Sequence, residues 1–218
     1  MSLHQTVSTC DSLRSDVSLG CDTYCVGVGD LAPDHVYYPN FIGRDEHDAL
    51  MTSLQNSAPW RDDVITIFGR THPVPRRTAL FGDPGAKYSY SRITLTPHPW
   101  PDALQLVRQR IEDLTHAPFN AVLVNLYRNG RDSNGWHADD EVELGEQPVI
   151  ASVSLGAPRT MRFKRRDGRS RWSLALTAGS LLVMSGDSQS AWLHTIPKQL
   201  RIEEPRINLT FRHVQIAK

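Results

Sequence analysis

Trp136, His137, Ala138 and Asp139 run consecutively. On an extended segment the imidazole of His137 and the carboxylate of Asp139, two positions apart, leave the same face. Two ligands of different type are then aimed at one point. A third has to come from a distant strand, and His194, in the run from Ala191 to Thr195, is the best candidate among nine histidines. Two imidazoles and one carboxylate on one face of a metal suit iron(II) and leave coordination positions open. Such a short-spaced pair also recurs by chance. A zinc hydrolase would use the same three ligand types.

The C-terminal segment narrows the choice. From Arg206 to Arg212 the chain alternates strictly, with Ile207, Leu209 and Phe211 facing one way and Arg206, Asn208, Thr210 and Arg212 the other. A half-buried strand would simply turn that polar face to water. Two fixed guanidinium groups with Asn and Thr between them also form a fork for a small dicarboxylate. Asn125 and Tyr127 share a face of an earlier strand and would complete such a pocket. A zinc hydrolase leaves this polar face unexplained, whereas a facial triad beside a dicarboxylate pocket describes a site for 2-oxoglutarate.

The elements that position these groups follow from periodicity. A helix is expected over residues 44–56 with Leu50 and Leu54 inward. A second is marked by Trp100, Leu104, Val107, Ile111 and Leu114, with Pro101 in its first turn and Pro118 behind it. From Asn120 the period switches to two. Strands are expected at 121–127, 149–155, 161–164, 172–176, 180–184 and 206–214, with Asn129-Gly130 and Asn134-Gly135 as turns. Short strands without intervening helices predict a mainly β fold, a sandwich or jelly roll braced by flanking helices. Residues 1–30 read as a loosely ordered arm, and 31–218 as one domain. Within it, 31–118 carries helices and recognition hairpins, and 119–218 forms the jelly-roll core.

The 218 residues carry 24 basic and 24 acidic side chains and 39% hydrophobic residues, an ordinary globular balance that argues against disorder and coiled coils. Seven cations nonetheless fall between Arg159 and Arg171, with a smaller group at Arg70, His72, Arg76 and Arg77, while acids gather from Asp139 to Glu146. A neutral average can therefore hide a basic face, although each run alone could be a solvated loop. Cys10, Cys21 and Cys25 have no partners downstream and read as incidental thiols. No apolar run approaches the ~20 residues of a membrane helix. A cytoplasmic monomer without membrane partners is expected.

Taken jointly, His137, Asp139, His194, Asn125, Tyr127 and the Arg206–Arg212 alternation resemble the AlkB family of iron(II)- and 2-oxoglutarate-dependent dioxygenases, from about Val36 to Val214. The resemblance implies a double-stranded β-helix, a jelly-roll variant, with iron(II), 2-oxoglutarate and O2 as cofactor and co-substrates. It implies that His137, Asp139 and His194 bind iron, and that Arg206, helped by Tyr127, pairs with the distal carboxylate of 2-oxoglutarate. Arg212 and Asn125 would lie nearer the keto-acid end, with Asn208 and Thr210 lining the pocket. The implied reaction is oxidative demethylation of N1-methyladenine or N3-methylcytosine in alkylated DNA, duplex or single-stranded, with RNA or a protein as other substrates.

The substrate residues rest on the same resemblance. Ile67, Phe68 and Gly69 match the tip of a hydrophobic finger in the duplex-repairing branch, where Phe68 would wedge into the gap left by an extruded base. Phe68 could equally be a core residue of a strand. Tyr90 aligns with an aromatic that stacks on the flipped base, with Trp60 as its rival. Asp140 and Glu141 could accept from an exocyclic amino group, or form a solvated acidic loop. From another class, a jelly roll that binds nucleic acid without turnover would not need the intact triad and arginines.

Overall fold

The computed structural model describes residues 24–26, 32–67, 69–90 and 93–216, without the side chains of 24–26, 66, 67, 89, 90 and 93. Phe68 and most of the arm at 1–30 lie outside the described residues. In chain order the first half holds β1 (Tyr24–Val26), β2 (His35–Tyr38), α1 (Arg44–Ser57), β3 (Val64–Ile67), β4 (Arg70–Pro73), β5 (Arg77–Gly82), β6 (Tyr88–Tyr90), β7 (Ile93–Leu95) and α2 (Asp102–Thr115). The second half holds β8 (Ala121–Tyr127), β9 (Asn134–His137), β10 (Ile150–Gly156), β11 (Arg159–Arg165), β12 (Arg171–Leu176), β13 (Ser180–Met184), β14 (Trp192–Ile196) and β15 (Arg206–Arg212).

These strands form two main antiparallel sheets. The major one runs β1-β2-β13-β10-β15-β8-β5 and the minor one β12-β11-β14-β9. β3 pairs with β4, and β6 with β7, as separate two-stranded hairpins. The arrangement is the expected jelly roll. Its major sheet is not confined to 119–218, because β2 and β5 pair onto β13 and β8.

Alternation sends the two faces of the major sheet to different neighbours. Val122, Val124, Val153, Ile207, Leu209 and Phe211 pack against Leu50 and Leu54 of α1 and Leu104, Val107 and Ile111 of α2. The three α2 residues are wholly buried, each contributing about 1.5–3 kcal/mol. The opposite face meets the minor sheet through a second core that includes Leu123, Tyr127, Met161, Phe163, Met184 and Trp192. The polar side chains of β15 sit on this inner face. Arg206 is opposite Tyr127, and Asn208 is opposite Asn125.

Two sequence expectations shift. Asn134-Gly135 is not a turn but the start of β9, whose His137 pairs with His194 across the edge of the minor sheet. The basic run divides between faces. Arg159 is buried, donating to the carbonyls of Asn129, Asp132 and Pro197, because bare carbonyls beneath a loop need a donor. Arg165 pairs with Asp167, and Arg166 with Asp140. The second group divides as well, since Arg70 and His72 are exposed on β4 while Arg76 is buried.

Candidate active site

β9 ends at His137, and the chain bends so that Asp139 follows it inward, while β14 delivers His194 from the neighbouring strand. The ligand atoms of these three residues all lie within 4.8 Å of one another. His137 Nδ1 donates to the Gly135 carbonyl at 2.8 Å, which leaves Nε2 as the lone-pair atom. That atom is 3.1 Å from Asn134 Nδ2. His194 Nε2 lies 3.9 Å from Asp139 Oδ2, and Arg212 Nη2 donates to Asp139 Oδ1 at 2.6 Å. One carboxylate oxygen is thus held by a cation while the other faces the imidazoles.

Electrostatics sets the protonation states a divalent cation requires. Burial, together with the adjacent His137 ring, pushes His194 down to about 3. Burial also lowers His137. Burial alone would raise Asp139, but Arg212 and the two imidazoles hold it at about 2. At neutral pH the site offers two neutral imidazoles and one ionised carboxylate, so metal binding displaces no proton from them.

Behind the triad lies a cavity of about 140 Å³ between the sheets. Arg206 closes one end. Its Nη2 donates to Ser154 Oγ at 2.9 Å, while the buried Nε and Nη1 have no hydrogen-bond partner among the described residues. Burial lowers its pKa to about 10, which still leaves it charged at neutral pH. A buried cation with two bare donors calls for a carboxylate. Asn208 is spoken for, donating to Ser152 Oγ and the Val153 carbonyl and accepting from Thr210, so it fixes the wall's shape. Apolar groups from Leu123, Met161, Leu176, Met184 and Ile196 line the remainder. The residues present therefore fit both a metal and a small dicarboxylate.

His137, Asp139, His194, Asn125, Tyr127, Arg206, Asn208, Thr210, Arg212 and Glu141 all line this one cavity. Glu141 accepts from the Tyr88 hydroxyl at 2.9 Å, and its buried Oε2 is unpartnered among the described residues. Asp140 is not brought in; it is exposed and bound to Arg166. Trp60 donates to the Gln55 carbonyl and packs at the edge of the helix-side core, outside the lining. Tyr90 ends β6 and Ile67 ends β3, and Gly69, at φ +73°, lies between β3 and β4.

Three residues were not found by sequence reasoning. Arg76 lines the cavity and donates from Nε to Asn125 Oδ1 at 2.7 Å. Tyr88 places its ring under the Arg212 guanidinium at 4.7 Å. Gln189, wholly buried in a 3₁₀ turn's C-cap, accepts from the Asp139 backbone N–H at 2.9 Å and lies 3.6 Å from Met184 Sδ. Only the even spacing of Tyr88 and Tyr90 hinted at any of them.

A family model described as the 2OG-Fe(II) oxygenase superfamily matches residues 34–212. DNA oxidative demethylase ALKBH2 of Mus musculus is 39% identical over 192 residues, covering 83% of this chain and 80% of that protein. The chain belongs to the AlkB family of 2OG-Fe(II) oxygenases. Its cofactor and co-substrates are iron(II), 2-oxoglutarate and O2. Another AlkB relative, Alpha-ketoglutarate-dependent dioxygenase alkB homolog 3 of Homo sapiens, is 40% identical over 187 residues, covering 81% of this chain. This chain spans 65% of that relative's length. A solved structure described as that of OsALKBH1 superposes with a TM-score of 0.62 at 18% identity, covering 84% of this chain and 98% of that one, a likeness of fold. Among the described residues no helix is long and apolar enough to cross a membrane.

Within this AlkB-family site Gln189 anchors the backbone of a metal ligand. Gln189→Leu should leave the buried Asp139 N–H unpaired, at about 1–3 kcal/mol. Iron(II) affinity is expected to fall about tenfold or more, measured by anaerobic titration. An unchanged affinity would remove Gln189 from the site's support.

Proposed function

We propose that the chain is an oxidative demethylase of N-alkylated bases, with N1-methyladenine and N3-methylcytosine in DNA as substrates. The observation that carries this is the single cavity with a His-Asp-His cluster near one end and a bare, buried guanidinium at the other. The ALKBH2 relatives, named as DNA oxidative demethylases, supply the substrate class. Residues 31–218 act as one dioxygenase domain.

Iron(II) held by His137, Asp139 and His194 supplies the coupling of 2-oxoglutarate oxidation by O2, giving succinate and carbon dioxide, to insertion of one oxygen atom into a methyl C–H bond. Arg206 holds the distal carboxylate of 2-oxoglutarate, with Tyr127 beside it. Arg212 keeps the Asp139 carboxylate ionised and aimed, a task supported by their 2.6 Å contact. Asn125, Asn208 and Thr210 shape the wall, and the apolar lining excludes water from the reacting methyl group. Glu141 accepts from the exocyclic amino group of the flipped base, through the oxygen that Tyr88 leaves free. Tyr90 stacks on the same base. The hydroxymethylated ring nitrogen then releases formaldehyde and a proton and recovers its lone pair.

The test is mass spectrometry of N1-methyladenine and N3-methylcytosine oligonucleotides after incubation with iron(II), 2-oxoglutarate and O2, scoring loss of the methyl group and formation of succinate. Succinate formation independent of every methylated strand would overturn the assignment.

The β3–β4 hairpin supports a finger at Ile67, Phe68 and Gly69. Ile67 pairs with Arg70, β4 is exposed throughout, and the hairpin stands apart from both main sheets. Filling the gap left by a flipped base matters only in a duplex. Phe68→Ala should depress demethylation of duplex DNA about tenfold or more relative to the same lesion in a single strand. Tyr90→Ala should reduce both. Equal losses on the two substrates for Phe68→Ala would end the finger assignment.

A further inference from the structure

The outer face of the minor sheet carries charge that the site does not use. On β11 and β12 the cross-strand pairs Arg162↔Ser173 and Lys164↔Arg171 alternate with Phe163↔Trp172, whose side chains turn inward to the second core. Arg162 and Arg171 are exposed, and neither has an ion pair or hydrogen bond to an acid among the described residues. Lys164 has no acidic partner among the described residues either. Its ammonium sits 4.5 Å from the ring centroid of Trp136, which is 44% exposed. In a chain with as many acids as bases, three cations and a large open aromatic on one sheet face, with no acidic partner among the described residues, mark a local departure from neutrality.

The placement relative to the metal cluster gives this face a direction. Trp136 precedes His137 on β9, the edge strand of the minor sheet, so consecutive residues point to opposite sides of one strand. A polymer with one unit inside the cavity meets Trp136 as soon as it passes over that edge. From β9 to β12 the sheet spans three strand spacings, roughly 14 Å, enough for a few nucleotide units. Aromatic faces stack on bases, and cations spaced along a groove track phosphates, the combination that holds single strands without reading sequence.

We propose that the outer face formed by Trp136, Lys164, Arg162 and Arg171 is a binding surface for the single-stranded nucleic acid flanking the target base. A base stacks on Trp136, and Lys164, Arg162 and Arg171 meet successive phosphates. Lys164 then exchanges its contact with the Trp136 ring for a phosphate. The surface deepens the demethylase assignment and rests on it.

The experiment measures binding of a fluorescein-labelled, unmethylated 12-nucleotide oligothymidylate to the protein loaded anaerobically with iron(II) and 2-oxoglutarate, by anisotropy across a salt series. Trp136→Ala should weaken binding about tenfold, and Trp136→Phe should restore most of it, since the stack is worth that much per base. The triple variant Arg162→Ser, Lys164→Ser, Arg171→Ser should reduce the slope of log affinity against log salt by about 2, from ~0.7 per phosphate contact. The visible iron–2-oxoglutarate absorption of each variant, unchanged from the parent, establishes that the cavity is intact. Unchanged affinity and slope in the variants overturn the surface, even where the parent demethylates oligonucleotides normally. A slope change seen only with duplex, with Trp136→Ala silent, overturns the single-strand assignment. A parent that neither binds strands nor demethylates them overturns the demethylase assignment itself.

Discussion

Arg206→Met should abolish 2-oxoglutarate binding at physiological concentrations and, at the same time, raise the melting temperature of the ligand-free protein. The guanidinium is 1% exposed, with Nη2 bonded to Ser154 and the Nε and Nη1 donors unmet among the described residues. Keeping such a group charged in the interior is a standing cost to the fold, which burial registers by drawing its pKa down to about 10. The carboxylate of the co-substrate offsets that cost. Removing one side of a buried charge pair takes about 2–5 kcal/mol from binding, roughly thirtyfold to several thousandfold in Kd. Methionine keeps the apolar stem and removes the unpaired charge. Anaerobic titration of 2-oxoglutarate into the iron(II)-loaded variant and calorimetry without ligand measure the two halves. Retained affinity would move the dicarboxylate elsewhere. Lost affinity together with a lower melting temperature would make Arg206 a structural residue whose removal distorts the pocket.

Asp139→Ala should end turnover, and it should also destabilise the protein by about 3–5 kcal/mol. From sequence alone a metal ligand at a preformed mouth looks dispensable to the fold. The structure alters that expectation, because Arg212 is nearly as buried as Asp139 and bonds it at 2.6 Å. Alanine leaves that guanidinium uncompensated in a low-dielectric interior. The double variant Asp139→Ala, Arg212→Met should therefore recover most of the lost stability in urea unfolding and none of the turnover. Turnover by a folded Asp139→Ala protein would remove the carboxylate from the metal site. A double variant no more stable than the single one would mean that the pair's contribution does not lie in charge compensation.

What the sequence made legible depended on period. Strict alternation from Arg206 to Arg212 placed four polar groups on one face before any fold was known, and the register with Tyr127 and Asn125 follows from it. Both helices and the strand at Ala121–Tyr127 were likewise written in their spacing. Arg76, Tyr88 and Gln189 were not, because each arrives singly, from a hairpin exit, a short strand and a 3₁₀ turn. A lone arginine beside Arg77 carries no mark of whether it will be buried against Asn125 or left in water. The basic run was only partly legible for the same reason. Composition groups residues by neighbourhood in the chain, whereas a strand sends neighbours to opposite sides and buried Arg159 among carbonyls.

β15 occupies an interior place in the major sheet, bonded on both edges and covered on both faces, so all seven of its positions are buried. The strand therefore has no spare position at which variation is free. Its odd-numbered members answer to helix packing and its even-numbered members to the cavity, and a substitution that suits one is judged at once by the other. Diversification of substrate range has correspondingly little room here, and falls to the hairpins and outer face that meet β15 only through the cavity. The bound dicarboxylate, reaching Arg206, completes an interior the polypeptide leaves unfinished. It behaves less like a visitor to the fold than like a further structural element supplied in solution, on which the order of the surrounding strands is free to depend.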